Sequence, residues 1–310
     1  MTLFKTFIES HIAGSPINPE IRWVSLKPVR LAELFFDEQK IKVSNGFVKR
    51  ALENMGLRYR KRSKQLATGI YQQRDEQFKI IFALIAVMMN CGMPVISIDC
   101  KKKEVIGNLY REGKCYCSKS LDVFDHDYNH LAEGKVVPHG IYDLKLNRGY
   151  VTIGNSSETA AFVKDNLLWW WHTYGNKEYL NAKCILLLCD AGGANSYRHH
   201  IFKKEMLEFA TETGLTIKVC HFPPYHSKWN PIEHRLFCHI HRAMSGNVFT
   251  SYQTVEMLIR HTSTKQGLIV VVRLNLNQYK TGIKIDKNDV DYSRISFHEK
   301  IPELNYEVAA

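Results

Sequence analysis

Cys184-Ile185-Leu186-Leu187-Leu188-Cys189-Asp190, followed by Ala191-Gly192-Gly193-Ala194-Asn195-Ser196, is the stretch that decides how this chain is read. Lys183–Cys189 is almost continuously apolar, as expected of a strand buried on both faces. Asp190 closes it. An apolar strand ending in an acid places that acid at the carboxyl edge of its sheet, where open α/β sheets bind ligands. Val95-Ile96-Ser97-Ile98-Asp99 repeats the pattern. Were the two strands neighbours, their acids would stand side by side and repel unless a cation lay between them. Hard oxygen ligands of this kind suit Mg²⁺ or Mn²⁺. The competing reading makes each acid an ordinary strand-end turn residue. Gly192 and Gly193 suit such a turn, and equally let a phosphodiester approach the backbone closely.

Strands alternate with helices from residue 94 onward. Val105–Tyr110, Val136–Leu144, Gly149–Ile153 and Thr216–Phe222 read as further strands. A helix from Ser156 or Ser157 runs to about Tyr174, and Ser196 can cap another that ends at Gly214. Phe78–Cys91 reads as a buried helix. This order predicts an α/β fold, a mixed sheet with helices packed against it. Asn230-Pro231 opens a further helix. On its wheel Ile232, Leu236, Phe237, Ile240 and Met244 span one apolar arc. Glu233 falls inside that arc, while Arg235, His239 and Arg242 fall outside. An acid on the core side of a helix needs a partner or a metal. The alternative is a capping box, with Asn230 at the N-cap and Glu233 at N3.

The N-terminal part reads as helical. Leu26–Phe36 carries Val29, Leu31, Ala32, Leu34 and Phe35. Ser44 can N-cap a second helix to Met55, stopped by Gly56. That helix buries Phe47, Val48, Ala51, Leu52 and Met55 and offers Lys49 and Arg50 on its other face. Arg58, Arg60, Lys61, Arg62 and Lys64 follow. Two short helices and a basic cluster fit a helix-turn-helix or winged-helix DNA-binding segment; the bland alternative is a solvated hairpin with a basic linker.

Composition agrees with both assignments. The 310 residues carry 42 Lys+Arg against 31 Asp+Glu, a net charge of +11, and 45% are apolar. Such a field favours polyanions. The eight cysteines include no C-x-x-C pair, so zinc is unsupported and reduced thiols are expected. Met1–Ala13 lacks a secretory leader, and no stretch reaches the roughly 18 apolar residues that span a bilayer. A soluble, intracellular protein is expected. Lys101, Lys102 and Lys103 after the first acid, and His226 and Lys228 before Glu233, can contact phosphates or remain solvated charge. Among Trp169, Trp170 and Trp171, two are expected in the core and one half exposed. Asp143, at a strand end, is the leading rival to Asp99.

Three blocks carry a family resemblance: Asp99–Glu104, Cys189–Ser196, and His221–Phe237, which reads His-Phe-Pro-Pro-Tyr-His-Ser-Lys-Trp-Asn-Pro-Ile-Glu-His-Arg-Leu-Phe. They resemble the motif blocks of the Rhodopirellula-type (ISAzo-type) insertion-sequence transposases. The last is also similar to the third-carboxylate block of Tc/mariner-like transposases. Likeness extends to Ile21–Gly69, Val137–Asp143 and Thr262–Ile283, nearly the whole chain. The resemblance implies a DDE transposase with an RNase H-like fold, whose first and fourth strands lie together. It implies that Asp99, Asp190 and Glu233 hold two Mg²⁺ or Mn²⁺ ions for DNA cleavage and strand transfer. The implied partners are double-stranded DNA, at element ends and target, and further copies of the chain assembled on it. The implied location is the nucleoid of a bacterial cytoplasm.

Tyr225-His226 stands where many relatives carry Gly-Thr, and Ser118–Asp127 diverges. Relatives usually begin with a further helical DNA-binding region, so this copy is expected to be short: a shortened product, the second half of a frameshifted gene, or a remnant. The expected organisation is a helical DNA-binding segment and linker over 1–70, a catalytic domain over 71–275 and a tail over 276–310. Two alternatives stand beside the transposase: a nuclease on the same fold that cuts without joining, and a truncated, non-catalytic DNA-binding remnant.

Overall fold

Ser44 does start a helix: its hydroxyl accepts the Phe47 amide at 3.2 Å. In the computed structural model, which describes residues 2–14, 20–60 and 71–310, the chain divides into two compact units, 1–66 and 67–310. The first holds helices α1 (Thr2–Glu9), α2 (Pro28–Gln39) and α3 (Asn45–Asn54), with short strands β1 (Ala13–Gly14) and β2 (Arg22–Trp23) paired antiparallel. Phe4, Phe7, Ile8, Leu31, Phe35, Val48 and Ala51 form its core. Lys40 at φ 57° turns the chain out of α2. Gly56, at φ 79°, follows α3, a left-handed conformation that costs glycine least.

The second unit opens with α4 (Arg74–Asn90) and strands β3 (Val95–Cys100), β4 (Glu104–Ile106), β5 (Gly134–Asp143) and β6 (Arg148–Gly154). Then come α5 (Ala160–Trp170), α6 (Asn176–Glu178), β7 (Cys184–Cys189), α7 (His200–Thr213) and β8 (Thr216–His221). Helices α8 (Cys238–Met244) and α9 (Tyr252–Arg260) and strands β9 (Ile269–Asn275), β10 (Ile295–Phe297) and β11 (Asn305–Val308) complete it. Among the described residues the sheet has nine strands, in the order β10-β11-β8-β7-β3-β5-β6-β9, with β4 added to β5. Strands β3, β7 and β8 run parallel, while β5 is antiparallel to β3 and β6. The mixed sheet is RNase H-like, with the first long strand, β3, beside the fourth, β7.

Both faces of the sheet are covered, which explains the apolar run in β7. Ile185, Leu187 and Cys189 pack with α5 and α7 (Val163, Leu167, Trp170, Phe202, Met206). Leu186 and Leu188 face the other way, onto Ile81 and Met88 of α4. Farther along that second face, Tyr142, Val151 and Ile153 meet Leu236, Phe237, Ile240 and Met244. Trp170 and Trp171 are buried, and the half-buried Trp169 carries the Arg273 guanidinium 4.5 Å from its ring centre. A Cβ on Gly140 of β5 would meet Phe237 Cε1 at 2.7 Å and Ile232 Cδ1 at 2.8 Å. Gly140→Ala therefore overpacks this contact and is expected to cost about 1–3 kcal/mol, read as a thermal midpoint several degrees lower; an unchanged midpoint would contradict the close approach.

Several boundaries differ from the sequence expectation, each for a local reason. The strand expected over Val105–Tyr110 stops at Ile106, because Gly107 turns the backbone to φ 138°. Thr159, not Ser156 or Ser157, caps α5, accepting the Phe162 amide at 3.2 Å. Helix α7 begins at His200, beyond Ser196. Helix α4 is only partly buried: Phe82 and Val87 are exposed. The stretch 276–310, expected as a tail, supplies β10 and β11, and Tyr306 and Val308 lie in the main core.

Candidate active site

Parallel pairing brings the two strand-end acids together. Val95 stands opposite Leu186 and Ser97 opposite Leu188. Two residues further along each strand, the same register sets Asp99 level with Asp190. Asp99 also lies opposite Gly140 of the antiparallel neighbour. The third acid arrives on a π-helical turn, Glu233–Phe237, that runs directly into α8. Such wide turns re-aim side chains and recur at functional sites. All five arc residues, Ile232, Leu236, Phe237, Ile240 and Met244, are buried, and Glu233 is half buried among them. Its carboxyl group lies close enough to Asp99 to help raise the pKa of that acid.

Asn230 is fully buried but does not cap that helix with its side chain. Its Nδ2 donates to the Ile98 carbonyl at 3.1 Å, and its Oδ1 accepts from the Ser97 hydroxyl. Ser97 Oγ in turn accepts the Ile232 amide at 3.2 Å. The sequence that reads as a capping box is thus a clasp between β3 and the segment carrying Glu233. It holds the first and third acids in register. Neither Ser97 nor this use of Asn230 is legible in sequence, because the clasp joins residues more than 130 positions apart.

Burial raises the Asp99 carboxyl to about 8, helped by Asp190 and Glu233 beside it; the Cys100 amide, 2.7 Å from Oδ1, opposes it. Burial raises Asp190 to about 6, against a hydrogen bond from Asn195, with Glu158 and Glu233 adding repulsion. Near neutral pH and without metal, the Asp99 carboxyl therefore holds a proton. Three carboxyl side chains drawn toward one desolvated corner are, by their oxygen chemistry, a donor set that suits a hard divalent cation. Among the described residues, no three His, Cys, Asp or Glu side chains already surround one ion position.

A pH dependence follows from these shifts. Both folded-state values lie above the usual ~4 of an aspartate, so the folded protein keeps protons that the unfolded chain releases. Without metal, stability from this pair is fully present at acid pH and falls as pH rises through about 6 and about 8. A cation must displace the same protons, so Mn²⁺ affinity is expected to increase from pH 6 to pH 8, with proton release on binding. Titration calorimetry in buffers of different ionisation enthalpy measures both; a flat profile without proton release would exclude the pair as ligands.

Sequence reasoning also missed the groups around Asp190. His221, fully buried, sits with Nδ1 3.0 Å from the Asp190 carbonyl oxygen and Nε2 3.2 Å from the Tyr306 hydroxyl. A carbonyl only accepts, so Nδ1 carries the hydrogen and Nε2 accepts from Tyr306. Burial lowers this imidazole to about 4, which keeps it neutral. The last strand of the chain thereby steadies the backbone of the second acid. Glu158, just before α5, reaches the Cys100 thiol and acts electrostatically on Asp190. Its Oε1 lies 3.3 Å from the point a Cβ on Gly193 would occupy. No local pattern marks Glu158; it is an acid in a polar turn.

The basic residues separate. Lys102 and Lys103 are exposed beyond Asp99, and Lys228 is exposed before the third acid. Lys101, expected as a phosphate contact, is buried with its ammonium 2.8 Å from Glu104, which also pairs with Arg111. In the N-terminal unit Lys49, Arg50, Arg58 and Arg60 are exposed, while Lys61 and Arg62 lie outside the described residues. Asp143, the rival acid, is buried at the opposite end of β3, opposite Ile96. It accepts the Tyr179 hydroxyl at 2.8 and 3.0 Å and the amides of Lys145 and Leu146 at 3.0 Å. Those partners make it the anchor of the β5–β6 turn.

The family described as Rhodopirellula transposase DDE domain matches residues 4–310. The chain belongs to that family. No curated protein sequence matches the chain. Among solved structures, the Mos1 transposase paired-end complex with left transposon end is similar over 83% of this chain and 68% of that one, at 14% identity and a TM-score of 0.45. The Mos1 mariner paired end complex with Mn matches over 75% of this chain and 65% of that one, at 16% identity and a TM-score of 0.44. The catalytic domain of Mos1 mariner transposase matches 62% of this chain and 81% of that one, at 11% identity and a TM-score of 0.40. Within the described residues of this DDE family member, no helix is long and apolar enough to cross a membrane.

Proposed function

We propose that this member of the transposase DDE family cleaves double-stranded DNA at the ends of an insertion sequence and transfers the strand to a target. The convergence of Asp99, Asp190 and Glu233 at the carboxyl edge of β3 and β7 carries this reading. These three side chains would hold two divalent ions, Mg²⁺ or Mn²⁺. Bound there, such ions lower the pKa of a water or activate a 3′ hydroxyl, and stabilise the leaving oxygen.

The chain's own residues prepare that chemistry. Asp99 and Asp190 are fixed by strand register, and Glu233 by the Ser97–Asn230 clasp. Gly192 and Gly193 leave room beside Asp190 for a phosphodiester backbone. Lys102, Lys103 and Lys228, exposed around the acids, would neutralise phosphates flanking the cut. Lys49 and Arg50 on α3, with Arg58 and Arg60, would engage the duplex phosphates from the N-terminal unit; Lys61 and Arg62 belong to the same basic run. Assembly of several copies on DNA and residence on the bacterial nucleoid complete the proposal.

The test is purified protein with supercoiled plasmid carrying the element ends, in Mn²⁺ or Mg²⁺, beside a chelator control. Metal-dependent nicking followed by joined products is the expected outcome. Nicking without joining would assign a nuclease. DNA binding with no cleavage in either metal would assign the non-catalytic, DNA-binding reading.

A further inference from the structure

The loop that leads from Asp190 toward α7, residues 190–197, contains Gly192 and Gly193, the second at φ 61°. Glycine has more backbone freedom than any other residue. A loop with two of them keeps a metal ligand in place only if something outside it grips its ends. Two buried side chains do so. His221 donates from Nδ1 to the Asp190 carbonyl at 3.0 Å. Lys203 of α7, only 6% exposed, donates from Nζ to the Tyr197 carbonyl. One residue stands behind both grips. The Tyr306 hydroxyl donates to His221 Nε2 at 3.2 Å, and the Tyr306 ring centre lies 5.2 Å from the Lys203 ammonium.

The pairing of β8 with β11 fixes these groups in turn. The His221 amide donates to the Leu304 carbonyl at 2.9 Å. Gln77 of α4 donates to the His221 carbonyl at 2.8 Å and exchanges hydrogen bonds with the Asn305 side chain at 2.8 and 2.6 Å. Tyr306 itself is 2% exposed and stands opposite Val219, two residues before His221. Packing alone does not call for a tyrosine there, because a phenylalanine fills the same space. Burying a hydroxyl and an ammonium costs free energy unless both find partners. Here the hydroxyl meets the imidazole that holds Asp190, and the ring face meets the cation that holds Tyr197, the arrangement in which an aromatic ring attracts an ammonium.

We infer that Tyr306 is a positioning residue for the divalent-ion site: through His221 and Lys203 it pins both ends of the Asp190–Tyr197 loop and so holds the Asp190 carboxylate where an ion can bind it. Tyr306 acts through these two side chains and not on the ion. The inference rests on the metal reading above and extends the site to the last strand of the chain. Losing a group that orients a metal ligand commonly weakens metal binding by 10–100-fold. Tyr306 acts one contact further out, so the lower end of that range applies.

Metal binding without DNA tests it. Mn²⁺ is titrated into the full chain by calorimetry, and the thermal midpoint of each protein is measured without metal. Tyr306→Phe, which keeps the ring and loses the hydroxyl, is expected to weaken Mn²⁺ binding by about tenfold. Lys203→Met, which keeps an unbranched chain and loses the ammonium, is expected to do the same. Val308→Ala is the control, because Val308 is buried in the same strand and has no part in either grip. It is expected to lower the thermal midpoint and to bind Mn²⁺ as wild type does. Wild-type Mn²⁺ affinity in Tyr306→Phe and Lys203→Met, whatever their midpoints, would overturn the inference and make Tyr306 a core residue only. Equal losses of affinity in all three variants would also overturn it, by tracing the effect to stability alone. Wild type that binds no Mn²⁺, or Asp190→Asn that binds it as tightly as wild type, would remove the metal reading itself and the inference with it.

Discussion

Asp190→Asn is expected to abolish metal-dependent nicking while leaving the fold intact. Altering a group that merely orients a metal ligand typically costs 10–100-fold, so losing a ligand charge should cost at least ~10²-fold. Stability should move the other way. Burial raises Asp190 to about 6, so at pH 8 its ionised form is a cost to the metal-free fold, and a neutral amide removes it. Asn195 still finds an oxygen to donate to. The metal-free variant should therefore melt no lower than wild type at pH 8, and lose the added stability that Mn²⁺ confers on wild type. Lost activity with unchanged or higher melting temperature separates a metal ligand from an ordinary turn residue. A variant that nicks at the wild-type rate removes Asp190 from the site; one that melts several degrees lower makes it structural.

The second large effect is expected at Asn230, which the same logic treats in reverse. Asn230→Ala removes both halves of the clasp: the Ser97 hydroxyl and the Ile98 carbonyl lose their partner inside a fully buried corner. Leaving buried polar groups unsatisfied costs about 1–3 kcal/mol each, so a lower melting temperature is expected. Activity should fall by ~10–100-fold, because Glu233 sits three residues on and depends on this anchor for its register with Asp99. Ser97→Ala breaks the clasp from the other strand, and the double variant should lose little more than either single one. Such non-additivity is the signature of residues acting through one contact. Additive losses would show that Asn230 and Ser97 act separately.

These two residues also mark how far the sequence could be read. Asp190 is legible because its strand is buried on both faces, and burial on both faces writes a continuous apolar run that ends at the acid. Glu233 is legible because a helix repeats every 3.6 residues, so an acid inside an apolar arc stands out even though the first turn proves to be π-helical. The basic face of α3 and its Ser44 cap follow from equally local rules. Lys101 shows the limit. Beside Lys102 and Lys103 it reads as solvated or phosphate-binding charge, yet the fold buries it against Glu104.

What the sequence determined by itself was therefore everything governed by neighbours in the chain: the strand–helix order, the mixed α/β class, the buried central strand, and three acids at the ends or inner faces of their elements. Tertiary structure alone decided what those acids meet. Register between β3 and β7 set Asp99 level with Asp190, two positions 91 residues apart. Asn230 was drawn from its own helix to β3, and residues near 300 were drawn into the sheet edge, where Tyr306 steadies His221 and, through it, Asp190. The physical reason is common to all of these. Periodicity and capping record interactions within a few residues, whereas strand pairing, buried hydrogen bonds and the raised pKa values of crowded carboxylates arise only when distant segments share one desolvated space.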